Sequence, residues 1–329
     1  MRILFAGSPA IAVPSLKILS GMEIEGKGIV LAGLLTNPDS KRGRRGQLLS
    51  TDVSSAALEL DAARKEKGLG HIPQLKPEKL DALAREETAA LKADLLVSFA
   101  YGRIFGPRFL ALFPQGGINI HPSLLPKYRG ASPIPAVILA REKETGICIQ
   151  RLAHEMDAGD ILITDCFKLG GRETASSLSE TVSLKAAGLL SELLSDYAAR
   201  AASAVPQEGG AIYCREIKKE AGLIDWNKSA AFIDAQIRAF TPWPLSFTCC
   251  GKDTLFILEA RPLCEMTCGS SPGNAAPGTV LCADKNKGIM IQTGDGILAV
   301  TQLQWQAKKA LDWKSFCNGA RDFAGAKLG

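Results

Sequence analysis

The chain has 329 residues, of which 46% are hydrophobic and 22% are charged, so it can bury the cores of about two globular domains. This composition excludes a disordered or fibrous chain, and the lack of an apolar run of membrane-span length excludes an integral membrane protein. The net charge of +5 permits contact with a polyanion without requiring it. Since the first residues are typical of a strand and not of a signal peptide, we expect a cytoplasmic protein.

The first half of the chain alternates apolar strands with helices. Apolar runs typical of buried strands occupy residues 2–9, 28–37, 94–102 and 116–122. Helices are predicted after Pro9, over Thr51–Gly68 with Thr51 as the N-cap, and along Thr174–Ala204. Such strands between helices are typical of an α/β fold with a Rossmann-like, mostly parallel sheet that carries helices on both faces. Ligands of these sheets bind outside the carboxyl ends of the strands.

The sequence changes character after the segment Val205–Gly210, which breaks the helical pattern. Short alternating apolar runs follow, separated by turn signals such as "TGDG" at Thr293–Gly296. We therefore predict a smaller β-rich barrel domain after the α/β domain. The expected boundaries are a catalytic domain over 1–205, a linker over 206–217 and a C-terminal domain over 218–329.

The segment Ile118–Gly130, "INIHPSLLPKYRG", contains the first candidate site. Side chains alternate between the two faces of a strand, so Asn119 and His121 share one face, and Pro122 ends the strand. An amide and an imidazole at a strand's carboxyl end can both donate hydrogen bonds to a developing oxyanion. A single histidine at such a position is also compatible with a purely structural hydrogen bond.

The segment His154–Leu162, "HEMDAGDIL", contains the second candidate. Asp157 and Asp160 fall in a tight turn between two apolar runs, where aspartates also occur simply as turn residues. His154 and Glu155 lack the second histidine of a metalloprotease motif, and the nine cysteines form no zinc set. We expect no metal.

The segment Ser40–Gly46, "SKRGRRG", contains four cations: Lys41, Arg42, Arg44 and Arg45. A run of like charges is usually a solvated, mobile loop. This loop follows the carboxyl end of a strand, so it should overhang the same edge of the sheet as His121. A basic loop beside an active site suits a clamp on the phosphate backbone of a nucleic acid.

Taken together, these motifs resemble the folate-dependent formyltransferases. The family pattern of Asn-x-His, then Ser-Leu-Leu-Pro, then an aspartate in an Asp-x-Gly turn is matched by Asn119, His121, Ser123–Pro126 and Asp157. "FAGSP", "NPDSKRGRRG", "SFAYGRIF", "YRGASPI" and Ile224–Pro244 extend the resemblance over nearly the whole chain, toward the members that formylate methionyl-tRNA. Pro122 departs from the small residue that many of those members carry.

The resemblance implies transfer of a formyl group from 10-formyltetrahydrofolate to the amine of initiator methionyl-tRNA. It implies catalysis by Asn119, a protonated His121 and Asp157, whose charge is expected to raise the pKa of the imidazole. The residues that it assigns to the folate site are Ser123, Leu124, Leu125 and Pro126. The residues that it assigns to tRNA are Lys41, Arg42, Arg44 and Arg45, with help from an OB-like C-terminal domain. We expect a monomer.

Three alternatives stay open from the sequence. A formyltransferase acting on the amine of a sugar nucleotide, or a formyltetrahydrofolate hydrolase, can carry a similar C-terminal domain. Neither gives a reason for four cations over residues 41–45. A non-catalytic tRNA-binding protein is the alternative from a different class, and the presence of Asn119, His121 and Asp157 together argues against it.

Overall fold

The computed structural model describes residues 1–42, 46–263, 275–320 and 322–329, with the side chain of Arg42 outside the description. The described residues form two compact units. The N-terminal unit comprises Met1–Pro133, Glu144–Lys168 and Ser179–Cys214. The C-terminal unit comprises Ile134–Lys143, Leu169–Leu178 and the described part of Arg215–Gly329.

The N-terminal unit is built on a mostly parallel sheet. Its strands are β1 (Arg2–Gly7), β2 (Val30–Leu35), β3 (Ser40–Arg42), β4 (Gln47–Leu49), β5 (Gln74–Leu75), β6 (Leu95–Phe99), β7 (Gly117–His121), β8 (Arg129–Gly130), β9 (Glu144–Arg151), β10 (Ile161–Lys168) and β11 (Tyr213–Cys214). The main sheet runs in the order β10-β9-β7-β6-β1-β2-β5. Five neighbouring strands are parallel: β7, β6, β1, β2 and β5. Strands β9 and β10 join one edge antiparallel. The predicted fold class is confirmed.

Seven α-helices are described between Val13 and Ala202. They are α1 (Val13–Ile24), α2 (Asp52–Glu66), α3 (Ala82–Ala90), α4 (Pro107–Leu110), α5 (Pro133–Leu139), α6 (Ala175–Ser195) and α7 (Tyr197–Ala202). Helix α5 after its first residue and the start of α6 belong to the C-terminal unit. The hydroxyl of Thr51 accepts a hydrogen bond from the backbone N–H of Ser54, so the predicted N-cap of α2 is confirmed. The helix predicted over 174–204 is interrupted at Asp196, which separates α6 from α7.

The core of the N-terminal unit lies along the central strands. Every residue of β6 is buried, as is β1 from Ile3 onward. Strands that are covered on both faces are apolar throughout, which is why these runs show no alternation in the sequence. Strand β7 differs, because Asn119 is partly exposed while its neighbours are buried. Asn119 is therefore a partly exposed position between buried residues of a central strand.

The basic segment, where the sequence predicts a mobile loop, begins on the short strand β3, which pairs with β4; residues 43–45 between them lie outside the described residues. We call this strand pair the β3–β4 hairpin. Strands β3 and β4 pair antiparallel, with Lys41 opposite Leu48. Its base is held by Asp39, which contacts Lys76 at 2.6 Å and accepts a hydrogen bond from Ser50 at 3.2 Å. Strand β4, which follows the cations in the chain, pairs with β3. The number of charges in a segment does not indicate such pairing.

The C-terminal unit is antiparallel and β-rich, as predicted. Its strands and helices are α8 (Ala230–Ala239), β12 (Ser246–Cys250), β13 (Asp253–Leu263), β14 (Val280–Asp284), β15 (Gly288–Gln292), β16 (Ile297–Trp305), β17 (Leu311–Asp312) and α9 (Trp313–Gly319). The sheet runs β12-β13-β16-β15-β14, with β17 paired to β16. Lys327 and Leu328 bridge Thr279 and Cys250, which joins the two edges of the sheet as a barrel requires.

The larger of two hydrophobic clusters in the described part of the C-terminal unit packs its helices against the sheet. Its buried members include Trp226 before α8, Ile233 and Ile237 on α8, and Phe316 on α9. The "TGDG" turn joins β15 to β16, so the predicted hairpin is confirmed. No helix within the described ranges is both long and apolar enough to span a membrane.

Candidate active site

The structure brings Asn119, His121 and Asp157 together at the end of β7. Asn119 Nδ2 donates to Asp157 Oδ1 at 3.3 Å. His121 Nδ1 lies 3.6 Å from Asp157 Oδ2. Because the amide and the imidazole are two residues apart on one strand, they face the same side and meet the same carboxylate. Their catalytic roles stay a prediction.

The turn between β9 and β10 carries Asp157 to this place. The turn is closed by a hydrogen bond of 2.9 Å from the N–H of Arg151 to the carbonyl of Asp160. Asp157 adopts a φ of 54°, an uncommon value for a residue with a side chain. A Cβ at Gly159 would overlap the carbonyl oxygen of Arg151, so only glycine fits there. The glycine of the "DAG" sequence is therefore required for steric reasons, whatever the role of the aspartate.

Backbone and side-chain donors hold the carboxylate of Asp157. The N–H of Gly130 donates to Oδ2 at 2.8 Å, and Gln150 Nε2 donates to Oδ1 at 3.0 Å. A Cβ at Gly130 would overlap the carbonyl oxygen of Cys214, which explains the glycine after "YR". With Asn119, these donors fix the direction in which the negative charge faces His121.

The imidazole of His121 is buried, with 4% of its side chain exposed. Its Nε2 lies 2.8 Å from the carbonyl oxygen of Tyr128, which can only accept, so Nε2 carries the proton in the neutral ring. Nδ1 is then the nitrogen that gains or loses a proton beside Asp157. Two thiols lie nearby: Cys148 is paired opposite His121 on β9, and Cys214 donates to the same Tyr128 carbonyl.

Burial lowers the pKa of His121 below its ordinary value of about 6.5, although the charge of Asp157 and the hydrogen bond to Tyr128 act in the opposite direction. The expectation of a raised pKa, and hence of a protonated resting imidazole, is therefore wrong. The sequence indicates the nearby carboxylate but not the loss of water around the ring, and here the loss of water dominates.

The predicted folate segment, Ser123–Pro126, forms the turn that follows β7. Ser123 is fully buried, and its hydroxyl donates to the carbonyl of Lys127 at 2.6 Å. Leu125 is buried, and its N–H donates to the sulfur of Cys148 at 3.4 Å. The hydroxyl of Ser123 and the N–H of Leu125 thus have partners within the protein. A role of this segment in folate binding stays a prediction, as does that of Leu124 and Pro126.

The structure describes part of the predicted tRNA-binding cluster. Lys41 is exposed on β3. Arg42 belongs to the same strand, and its side chain lies outside the described residues, as do Arg44 and Arg45 entirely. Contact of these cations with RNA stays a prediction. Among the residues that are described, no group of three or more His, Cys, Asp or Glu side chains could hold a metal ion.

Polar residues that sequence reasoning missed complete the site. Gln150 is buried on β9 directly opposite Asn119, and Gln207 contacts it from the segment after α7 at 3.0 Å. Arg129 donates to Gln207 Oε1 from Nε at 3.0 Å and from Nη2 at 2.8 Å. A glutamine within the apolar run "GICIQ" is a signal that could have identified Gln150. No local pattern marks Gln207.

Comparisons with known proteins show the family to which the chain belongs. Residues 1–194 match the family described as "Formyl transferase", and residues 216–321 match "Formyl transferase, C-terminal domain". The chain is 49% identical to a methionyl-tRNA formyltransferase of Treponema denticola over 325 residues, which are 98% of each chain. It is 43% identical to that of Treponema pallidum over 335 residues, covering 100% of this chain and 99% of the relative.

A solved structure shares the fold. It is an N-formyltransferase from Helicobacter canadensis in complex with folinic acid and dTDP-3-aminofucose, with a TM-score of 0.63 and 20% identity. The alignment covers 91% of this chain and 99% of that chain. At this identity the likeness concerns the fold alone.

Proposed function

The chain belongs to the formyl transferase family, and from this premise we propose that it transfers the formyl group of 10-formyltetrahydrofolate to the methionine amine of initiator methionyl-tRNA. The observation that carries the proposal is the 49% identity with the Treponema denticola methionyl-tRNA formyltransferase along 98% of both chains. The cluster of Asn119, His121 and Asp157 supplies the chemistry that such a transfer needs. Since the acceptor is a tRNA used in translation, a cytoplasmic location is part of the proposal.

His121 acts first, as the base. The methionine amine attacks the formyl carbon and must lose a proton as the new C–N bond forms. A neutral imidazole accepts that proton at Nδ1, directly or through a water molecule, because Nε2 is bonded to the Tyr128 carbonyl. The imidazolium that results is stabilised by the carboxylate of Asp157, 3.6 Å from Nδ1.

Asn119 stabilises the oxygen that becomes negative during the attack. Its side chain is partly exposed at the open end of β7. One N–H of the amide donates to Asp157, which leaves the other N–H for the oxyanion. A donor aimed at an oxyanion typically contributes about 2.7–4 kcal/mol to stabilisation of the transition state.

Collapse of the tetrahedral intermediate completes the reaction. The bond between the formyl carbon and N10 of the folate breaks, and the imidazolium of His121 returns its proton to that nitrogen. The products are the formylated amine and tetrahydrofolate, and His121 is neutral again. In the proposal, Ser123–Pro126 lie along the folate, while the cations of Ser40–Gly46 and the C-terminal unit bind the tRNA.

The test is an acceptor comparison with the purified protein. It is incubated with 10-formyltetrahydrofolate and, in parallel, with initiator methionyl-tRNA, with a dTDP-amino sugar, or with no acceptor. We expect a formyl-blocked amine on the tRNA, and release of tetrahydrofolate that depends on the tRNA. Formylation of the sugar instead, or equal release without an acceptor, would replace the proposed function by one of the two enzymatic alternatives.

A further inference from the structure

Gln207 occupies a central place in a chain of hydrogen bonds that ends at Asp157. Its Nε2 lies 2.9 Å from the carbonyl oxygen of Asp157, 2.8 Å from that of Gly159 and 3.0 Å from Gln150 Oε1. Its Oε1 accepts two hydrogen bonds from Arg129. One side chain therefore holds both the backbone of the Asp157 turn and the amide of Gln150.

The charges at the two ends of this chain orient both amides. Arg129 can only donate, so Gln207 must present its oxygen to the guanidinium and its NH₂ to Gln150. Gln150 must then accept with Oε1, which directs its own NH₂ to the carboxylate of Asp157, a group that can only accept. The reverse orientation would place oxygen against oxygen at Asp157. Hydrogen bonds linked in this way polarise one another and hold a single arrangement.

Arg129, where this series of hydrogen bonds begins, is itself held in place by its neighbours. Arg129 is 9% exposed, and its guanidinium donates from Nη1 to the hydroxyl of Tyr213 at 3.1 Å. That hydroxyl donates to Glu155 at 2.5 Å. Strand β11 pairs Tyr213 with Arg129, and Val205 bridges to Ile161 on β10, so the segment that carries Gln207 is anchored on both sides of that residue.

We propose that Gln207 is a positioning residue for formyl transfer, which holds the Asp157 turn and orients Gln150 so that the carboxylate of Asp157 faces His121. The proposal rests on the proposed function, since it assigns Gln207 a part in that reaction. Gln207 reaches no reacting atom in this role. It acts through Asp157, whose φ of 54° has to be maintained by its surroundings.

The experiment compares Gln207→Ala with the wild-type protein and with Gln115→Ala as the control. Gln115 is an exposed residue of the same unit and lies outside this chain of hydrogen bonds. For Gln207→Ala we expect a fall in kcat of roughly ten- to a hundredfold with unchanged KM for tRNA and folate, since a small displacement of a catalytic group has this order of effect. Gln115→Ala should match the wild-type protein.

A second measurement separates positioning from simple loss of structure. When the Asp157 turn relaxes, its carboxylate withdraws from His121, so the pKa of the imidazole should fall further. The NMR titration of His121 should then have a lower midpoint in Gln207→Ala than in the wild-type protein. The assignment is simple because the chain has three histidines. The two thiols beside the ring, Cys148 and Cys214, stay neutral because burial raises the pKa of each.

Gln150→Met serves as a second variant in case Gln207→Ala does not fold. It deletes the NH₂ that donates to Asp157 and keeps a side chain of similar length. It should lower kcat and the His121 midpoint in the same direction. A wild-type kcat in either folded variant, or a loss of kcat without a shift of the midpoint, would overturn the inference. An inactive wild-type protein would instead refute the proposed function, and the NMR titration would still decide the role of Gln207.

Discussion

The end of β7 and the β3–β4 hairpin both lie in the N-terminal unit, and their charged side chains differ in solvent exposure. At β7, the carboxylate of Asp157 and the ring of His121 are 13% and 4% exposed, and hydrogen bonds fix both. On the hairpin, Lys41 is exposed to solvent on a strand of three residues. Buried charges interact strongly over short distances, whereas exposed charges are screened by salt. The first arrangement suits bond making, and the second suits binding of a flexible polyanion.

Among substitutions that test this difference between the two regions, Asn119→Ala is expected to change kcat most. Loss of the oxyanion donor should lower kcat by roughly a hundred- to a thousandfold with little change in KM. Steady-state kinetics with methionyl-tRNA would check it. Ile120→Val on the same strand is the control, since it trims a buried side chain and should leave kcat unchanged. A fully active Asn119→Ala protein would remove the oxyanion role from this residue.

Asp157→Asn should have the next largest effect. The neutral amide keeps the shape of the side chain and removes the charge that stabilises an imidazolium at 3.6 Å. We expect kcat to fall on the order of a hundredfold, since charges about 4 Å apart interact by about 4 kcal/mol at an effective dielectric constant of 20, and relaxation reduces this. Rapid-quench formylation assays would measure the loss. Unaltered turnover would mean that the carboxylate serves the fold and not the reaction.

Replacement of the four cations at 41, 42, 44 and 45 by alanine should give the smallest effect on turnover. The KM for tRNA should rise several-fold, and the logarithm of KM should depend less steeply on the logarithm of salt concentration, since fewer counterions are released. The matched control is Lys65→Ala with Lys67→Ala, two exposed cations near the end of α2. An equal response in the control would mean that the hairpin has no special place in RNA binding.

The contrast also explains which features could be predicted from the sequence. Strand alternation places Asn119 and His121 on one face, and this inference needs only local geometry. The sequence pattern puts Asp157 in a turn between two apolar runs, but its association with the other two residues is expected only from the family resemblance. Helix α8 was not predicted, because its buried face includes Asp234 and Gln236, so its polar residues do not mark an exposed side.

The remaining parts of the site depend on contacts that no local pattern encodes. Gln207 is 57 residues from Gln150 in the chain, and their hydrogen bond exists only once the segment after α7 has paired with β8 and β10. The sign of the pKa shift at His121 depends on how much water the fold removes from the ring, which the neighbouring carboxylate alone does not determine.

The pH dependence of kcat, measured for the wild-type protein and Asp157→Asn between about pH 5 and 8, tests the central claim that a neutral His121 beside Asp157 accepts the proton. Since burial lowers the pKa of His121, kcat should fall toward acid with a midpoint below about 6.5. Because the charge of Asp157 raises that pKa, the midpoint should move lower still in the variant. A rate that falls as the pH rises through this range, or a midpoint that the substitution leaves in place, would contradict the account.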